Sequence, residues 1–104
     1  MSEELYKEVR HAKITHAKEL GSLAASLERA LPDSVRVVNR GVVGRHSFQS
    51  MSAIIGDKSL QAEMIGAVPT FYLGTAVRGV ASSHKIVSAD AWRSALQEAL
   101  ESVL

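Results

Sequence analysis

The sequence predicts an α/β domain, a small mixed sheet with helices packed on it, in the form of an α/β sandwich. Three observations predict it. Apolar residues recur at helical spacing between Leu5 and Ala30 and stop at Pro32. Two stretches rich in β-branched and aromatic residues, 35–39 and 67–73, read as strands. A last amphipathic segment opens at Ser88 and continues to the C-terminus.

The elements follow in order. Ser2 is placed as an N-cap, with Glu3 and Glu4 favouring the positive end of the helix dipole. Leu5, Val9, Ala12, Leu20, Leu23, Leu27 and Ala30 keep to one side at about 3.6 residues per turn. Ile14, Thr15 and His16 interrupt this stripe, and Gly21 costs about 1 kcal/mol relative to Ala. Residues 1–31 therefore form either one long helix with a weak centre or two segments meeting near 13–16. Asp33-Ser34 makes a turn, residues 35–39 a short strand, and Gly41 and Gly44 bracket a loop. Phe48, Met51 and Ile55 stand at helical spacing and predict a helix over 47–55 that Gly56 ends. Asp57 or Ser59 then caps a second short helix carrying Leu60, Met64 and Ile65. The strand at 67–73 turns at Gly74-Thr75, a two-residue hairpin signal, and residues 76–80 return. Ser82-Ser83-His84-Lys85 reads as a polar loop into the last helix, whose buried side carries Trp92, Ala95, Leu96, Ala99 and Val103. Strands joined through a helix lie parallel and strands joined by two residues lie antiparallel, which makes the sheet mixed.

Composition bounds the function. The 104 residues amount to one domain spanning 1–104, and 46% apolar against 22% charged residues is globular composition. The net charge of +1 speaks against general binding to nucleic acid or anionic membrane. With no cysteine, disulfides, thiolate metal sites and thiol chemistry are excluded. The N-terminus is acidic where a signal peptide is basic, and the longest uncharged stretch, 64–77, falls short of the about 20 residues of a membrane span. A cytoplasmic protein is the expectation.

Candidate chemical groups are few. His11 and His16 are five apart, which is not the i, i+4 spacing of a metal pair, so neither metal nor cofactor is expected. Gly44-Arg45-His46-Ser47 at the start of the predicted helix, together with Arg40, forms a candidate anion site, because helix N-termini offer free N–H groups. Arg40 and Arg45, with Arg36, also form a local basic patch. No serine sits in a nucleophile elbow, and no catalytic set is identifiable.

Residues 35–104 resemble the second half of a thioredoxin-like domain. Val68-Pro69-Thr70 falls where that family carries its cis-proline, and Gly74-Thr75 falls at its hairpin. Arg40-Gly41-Val42-Val43, Ser47-Phe48 and Val68-Pro69 further resemble the thioredoxin-like proteins of conjugative pilin assembly. The resemblance implies a β-α-β-β-α portion lacking a clear first strand, a cis Pro69, and a partner-binding surface at Val68, Pro69 and Thr70. The family's Cys-x-x-Cys is absent, so its redox chemistry does not carry over. The expected function is a non-catalytic protein-binding or assembly module. The alternatives are a small enzyme or anion-binding protein using Arg45 and His46, and a nucleic-acid binder using the arginine patch. A single long first helix outruns the body it covers, so Leu5, Tyr6 and Val9 are expected to meet a second copy, giving a homodimer.

Overall fold

The apolar period of the first thirty residues breaks where Ile14, Thr15 and His16 interrupt it. The structure, a computed structural model, describes residues 2–78, 80–86 and 88–103, with the backbone alone given at Ser2 and at positions 36–38. Helix α1 spans Ser2–His11 and α2 spans Ala17–Ala30. Ser2 is the first helical residue rather than a cap before it. The cap that restarts the chain is His16, extended at φ −153°, whose Nδ1 accepts from the Lys18 N–H at 3.3 Å. Of the two readings of residues 1–31, the broken helix is the one formed.

This break settles where the first apolar stripe goes. α1 turns back onto α2 and packs on the closing helix α3, Ala89–Val103. Val9 is fully buried and Leu5 is 8% exposed, while the Tyr6 hydroxyl reaches the Leu100 carbonyl at 3.4 Å. The Arg93 guanidinium donates to the Ala12 carbonyl and pairs with Asp90, tying the end of α1 to α3. The surface assigned to a second copy at Leu5, Tyr6 and Val9 is thus core of this chain. The broken helix covers its own apolar face within one chain, so that stripe is not the exposed surface the continuous helix leads one to expect.

Between α2 and α3 lie five strands: β1 Val35–Val43, β2 His46–Ile55, β3 Lys58–Ile65, β4 Val68–Val77 and β5 Val80–Ile86. They form one sheet in chain order, and all four pairings are antiparallel. The mixed sheet expected from a helical crossover is corrected to an antiparallel meander, and the β-α-β-β-α portion to five strands and a helix. The predicted helices over 47–55 and from Asp57 or Ser59 are strands. Phe48, Met51 and Ile55 do fit a helical period, yet Met51, Ala53 and Ile55 also alternate, and the period of two wins: these three are buried and Phe48 lies on the other face.

Four two-residue hairpins make the meander. Val43 pairs with His46, Ile55 with Lys58, Ile65 with Val68, and Val77 with Val80. The first three loops open on Gly44, Gly56 and Gly66, each at φ near +60° and each followed by a residue outside the positive-φ region, the pattern of a type II′ turn. In the fourth, Arg78 itself takes φ +53°. The hairpin predicted at Gly74-Thr75 lies instead in the middle of β4. The stretch 82–85 is strand β5, not a loop, and Lys85 pairs with Tyr72.

Helices cover one face of the sheet. Leu20, Leu23, Ala24 and Leu27 of α2 and Trp92, Leu96, Ala99 and Leu100 of α3 join Met51, Ala53, Ile55, Leu60, Ala62, Met64 and Phe71 in a single core. Ser88 caps α3 as predicted, its hydroxyl accepting from the Ala91 N–H at 3.2 Å, with Asp90 in the first turn. Among the described residues the opposite face carries no helix. No helix of the described residues is long and apolar enough to cross a membrane.

Candidate functional site

An antiparallel meander sends alternate hairpins to opposite ends of its sheet. The Gly44-Arg45 and Gly66-Ala67 turns therefore sit together at one end, where α2 also begins. Two backbone bonds fix this corner: the Gly66 N–H donates to the Ser47 carbonyl at 2.6 Å, and the Ala17 N–H donates to the Gly66 carbonyl at 2.9 Å. A side chain at Gly66 would point at His46, since a Cβ there would stand 3.2 Å from His46 Nδ1. The residues singled out in two separate parts of the sequence, 40–46 and 68–70, are brought to the same end of the fold.

Register decides which face each takes. Phe48 pairs with Ile65 and Ile65 with Val68, so these three form a continuous row across β2, β3 and β4 on the helix-free face. Val43 and His46 pair one step nearer the tip on that face. Thr70, opposite Glu63, belongs to the next row inward. Pro69 pairs with Met64 and so lies on the helix side. Among the described residues there is no cis peptide bond, which corrects the cis Pro69 implied by the resemblance. A regular strand partner opposite Met64 holds this proline in extended, edge-of-turn geometry.

The candidate anion set is distributed rather than convergent. Arg40 pairs with Gln49 on the helix side of β1, Arg45 occupies the hairpin turn, and His46 starts β2 on the other face. All three are exposed. The helix N-terminus that was to supply N–H donors here is a hairpin, so the premise of the anion site is corrected. The three side chains form a basic rim.

Beside that rim a groove of about 450 Å³ runs between α2 and the sheet, with Lys18, Gly21 and Ser22 on one wall and Arg40, Gly41 and Gln49 on the other. Gln49 is 5% exposed; its amide donates to the Ser50 carbonyl at 2.9 Å, and its Oε1 occupies the space a Cβ at Gly21 would need. Glycine at 21 lets α2 approach the sheet over this buried amide. A second cavity of about 390 Å³ lies between α3 and β3–β5, floored by Leu60, Leu73 and Ala99 and edged by Lys58, His84 and Glu98. Among the described residues no group of three or more His, Cys, Asp or Glu side chains is placed to hold a metal ion.

No protein-family model, curated protein or solved structure matches this chain. Function must therefore be read from the surface. The sequence singles out Arg45, His46 and Val68 as candidates, and strand register is what places Val43, Phe48 and Ile65 at the same end of the sheet. The signal for that register was present in Val-Gly-Arg-His, Ile-Gly-Asp-Lys and Ile-Gly-Ala-Val, three β-branched residues each followed by a glycine-led pair.

Proposed function

We infer that the chain is a non-catalytic protein-binding or assembly module that docks its partner at the end of the sheet formed by the Gly44 and Gly66 hairpins. One observation carries this reading. Val43, Ile65 and Val68, on the helix-free face at one end of the sheet, are 47%, 39% and 69% exposed beside the half-buried Phe48, and Val42, 73% exposed, stands at the same end on the helix side. Single exposed aliphatic residues are ordinary on any surface, whereas a contiguous group rimmed by polar residues marks an interaction site. Val68 and Thr70 face this surface while Pro69 lies on the helix side; the thioredoxin-like resemblance implies partner binding at Val68-Pro69-Thr70, and the cysteine-free chain brings no thiol chemistry to it. The spread of Arg40, Arg45 and His46 over two faces and a turn favours binding over an enzymatic pocket.

Site-specific photocrosslinking in the native host tests the reading. A photoreactive residue at Val68 is expected to give a discrete adduct, and one at Glu101, exposed near the end of α3, to give none. Ile65→Lys in the Val68-labelled chain is expected to abolish the adduct and to shift the unfolding free energy by no more than about 1 kcal/mol, as at an exposed position. Equal adducts from both sites, or an adduct indifferent to Ile65→Lys, overturn the proposal.

A further inference from the structure

We propose that the partner adds an extended, acidic segment to the free edge of β1, between residues 39 and 43, as a sixth strand of the sheet. This rests on the reading above and names the chemistry of the partner. The meander leaves two edges, β1 and β5. Edge strands template further pairing unless something blunts them. β5 is seven residues long and polar, carrying Ser82, Ser83, His84 and Lys85. β1 is nine residues long and holds five valines. Its bulge between Val37 and Asn39 disturbs the first half, after which 39–43 runs in regular register against 50–46.

Two features keep that second half open to an incoming strand. Gly41 has nothing within 4 Å of where its Cβ would stand. The groove beside it is walled on α2 by Gly21, Ser22 and Ala25, small residues that leave room for side chains from an added strand.

Charge selects the occupant. From residue 34 to residue 56 there is no Asp or Glu, while the segment contains Arg36, Arg40, Arg45 and His46. Lys18 faces the same groove from α2, and no acidic residue lines it. The two sides of the edge also differ: Arg40 and Val42 lie on the helix side with Lys18, whereas Asn39, Gly41 and Val43 lie on the side of the Phe48–Ile65–Val68 row. An added strand therefore meets cationic groups with one set of alternate residues only, and with the other meets uncharged residues that lead onto the apolar row. Main-chain pairing supplies affinity, and this alternation supplies specificity for acidic-apolar repeats. Nucleic acid is the lesser fit, because its binding draws on a dense array of cations and leaves strand-edge amides unused.

The probe is a labelled synthetic heptapeptide, acetyl-Val-Glu-Val-Glu-Val-Glu-Val-amide, titrated by fluorescence anisotropy into the full chain. Saturable binding is expected, with slowed amide exchange at residues 39–43. Lys18→Glu combined with Arg40→Glu is expected to weaken it about tenfold or more, since both exposed charges are reversed. N-methylation of alternate peptide nitrogens on the pairing edge is expected to abolish it. The inference is overturned by equal binding of the Lys-for-Glu peptide, by indifference to N-methylation, or by tighter binding of an oligothymidylate of equal charge. Absence of peptide binding at millimolar concentration also overturns it, and the crosslinking result at Val68 then decides separately whether the broader reading stands.

Discussion

Trp92→Ala is expected to lower the unfolding free energy by about 3–5 kcal/mol, the cost of truncating a large buried aromatic. Trp92 is the largest fully buried side chain, with its ring centroid 5.4 Å from that of Phe71 on β4. It joins α3 to the sheet, and a domain of this size has only about 5–15 kcal/mol in total. The variant is therefore expected to be largely unfolded at physiological temperature, as urea titration followed by far-ultraviolet dichroism will show. Trp92→Phe separates packing from polarity. The indole Nε1 is buried without a hydrogen-bond partner. Losing that donor removes a desolvation cost of about 1–3 kcal/mol, which offsets part of the lost area. Phe at 92 is expected to be at least 2 kcal/mol more stable than Ala on the same urea scale, and a Phe variant as unstable as the Ala one would show that the indole is held by something other than packing.

Gly74→Ala is the second large effect. A Cβ at 74 would overlap the backbone of Ser82 and Ser83 on β5, and backbone does not yield as a flexible side chain does. The expected result is a loss of about 2 kcal/mol or more, the scale of strain from forcing apart a packed backbone, with β5 amides losing protection in hydrogen exchange before the rest of the sheet. Gly41→Ala is the control, because a Cβ there meets nothing within 4 Å. It is expected to change stability by less than about 1 kcal/mol, with the sign favouring Ala through the unfolded chain. Equal losses at 74 and 41 would refute the close-approach account.

Gly74 also shows what the sequence made legible. A glycine before threonine between two apolar runs looks the same whether it turns the chain or lets a neighbouring strand pass close. The sequence reads as a turn there, and the turn lies four residues on, at Arg78. The helices were legible because their signals are local: Pro32 stops one, Ser88 caps another, and the interruption at residues 14–16 marks the break. β2 and β3 were not, since Phe48, Met51 and Ile55 satisfy two periods at once and only the partner strand decides between them. The site followed the same division. Arg45, His46 and Val68 announce themselves by residue type, whereas Val43, Phe48 and Ile65 become neighbours only once the hairpins around Gly44, Gly56 and Gly66 set the register. A continuous first helix would leave Leu5 and Val9 beyond the body it covers, and the break that His16 caps puts them in the core.

The bond from Tyr6 to Leu100 joins residues 94 apart in the chain, while every strand pairs with its neighbour in sequence through a loop of two residues. The chain thus contains its cheapest and its most expensive closures side by side. A two-residue loop confines almost no chain, whereas docking the first helix on the last before the sheet exists confines nearly all of it. The order of assembly follows from that difference in entropy: hairpins zip first, shorten the path between the ends, and only then does meeting of the terminal helices become inexpensive. Contact order is low in the sheet and high at the seam between α1 and α3, so that seam is expected to form last.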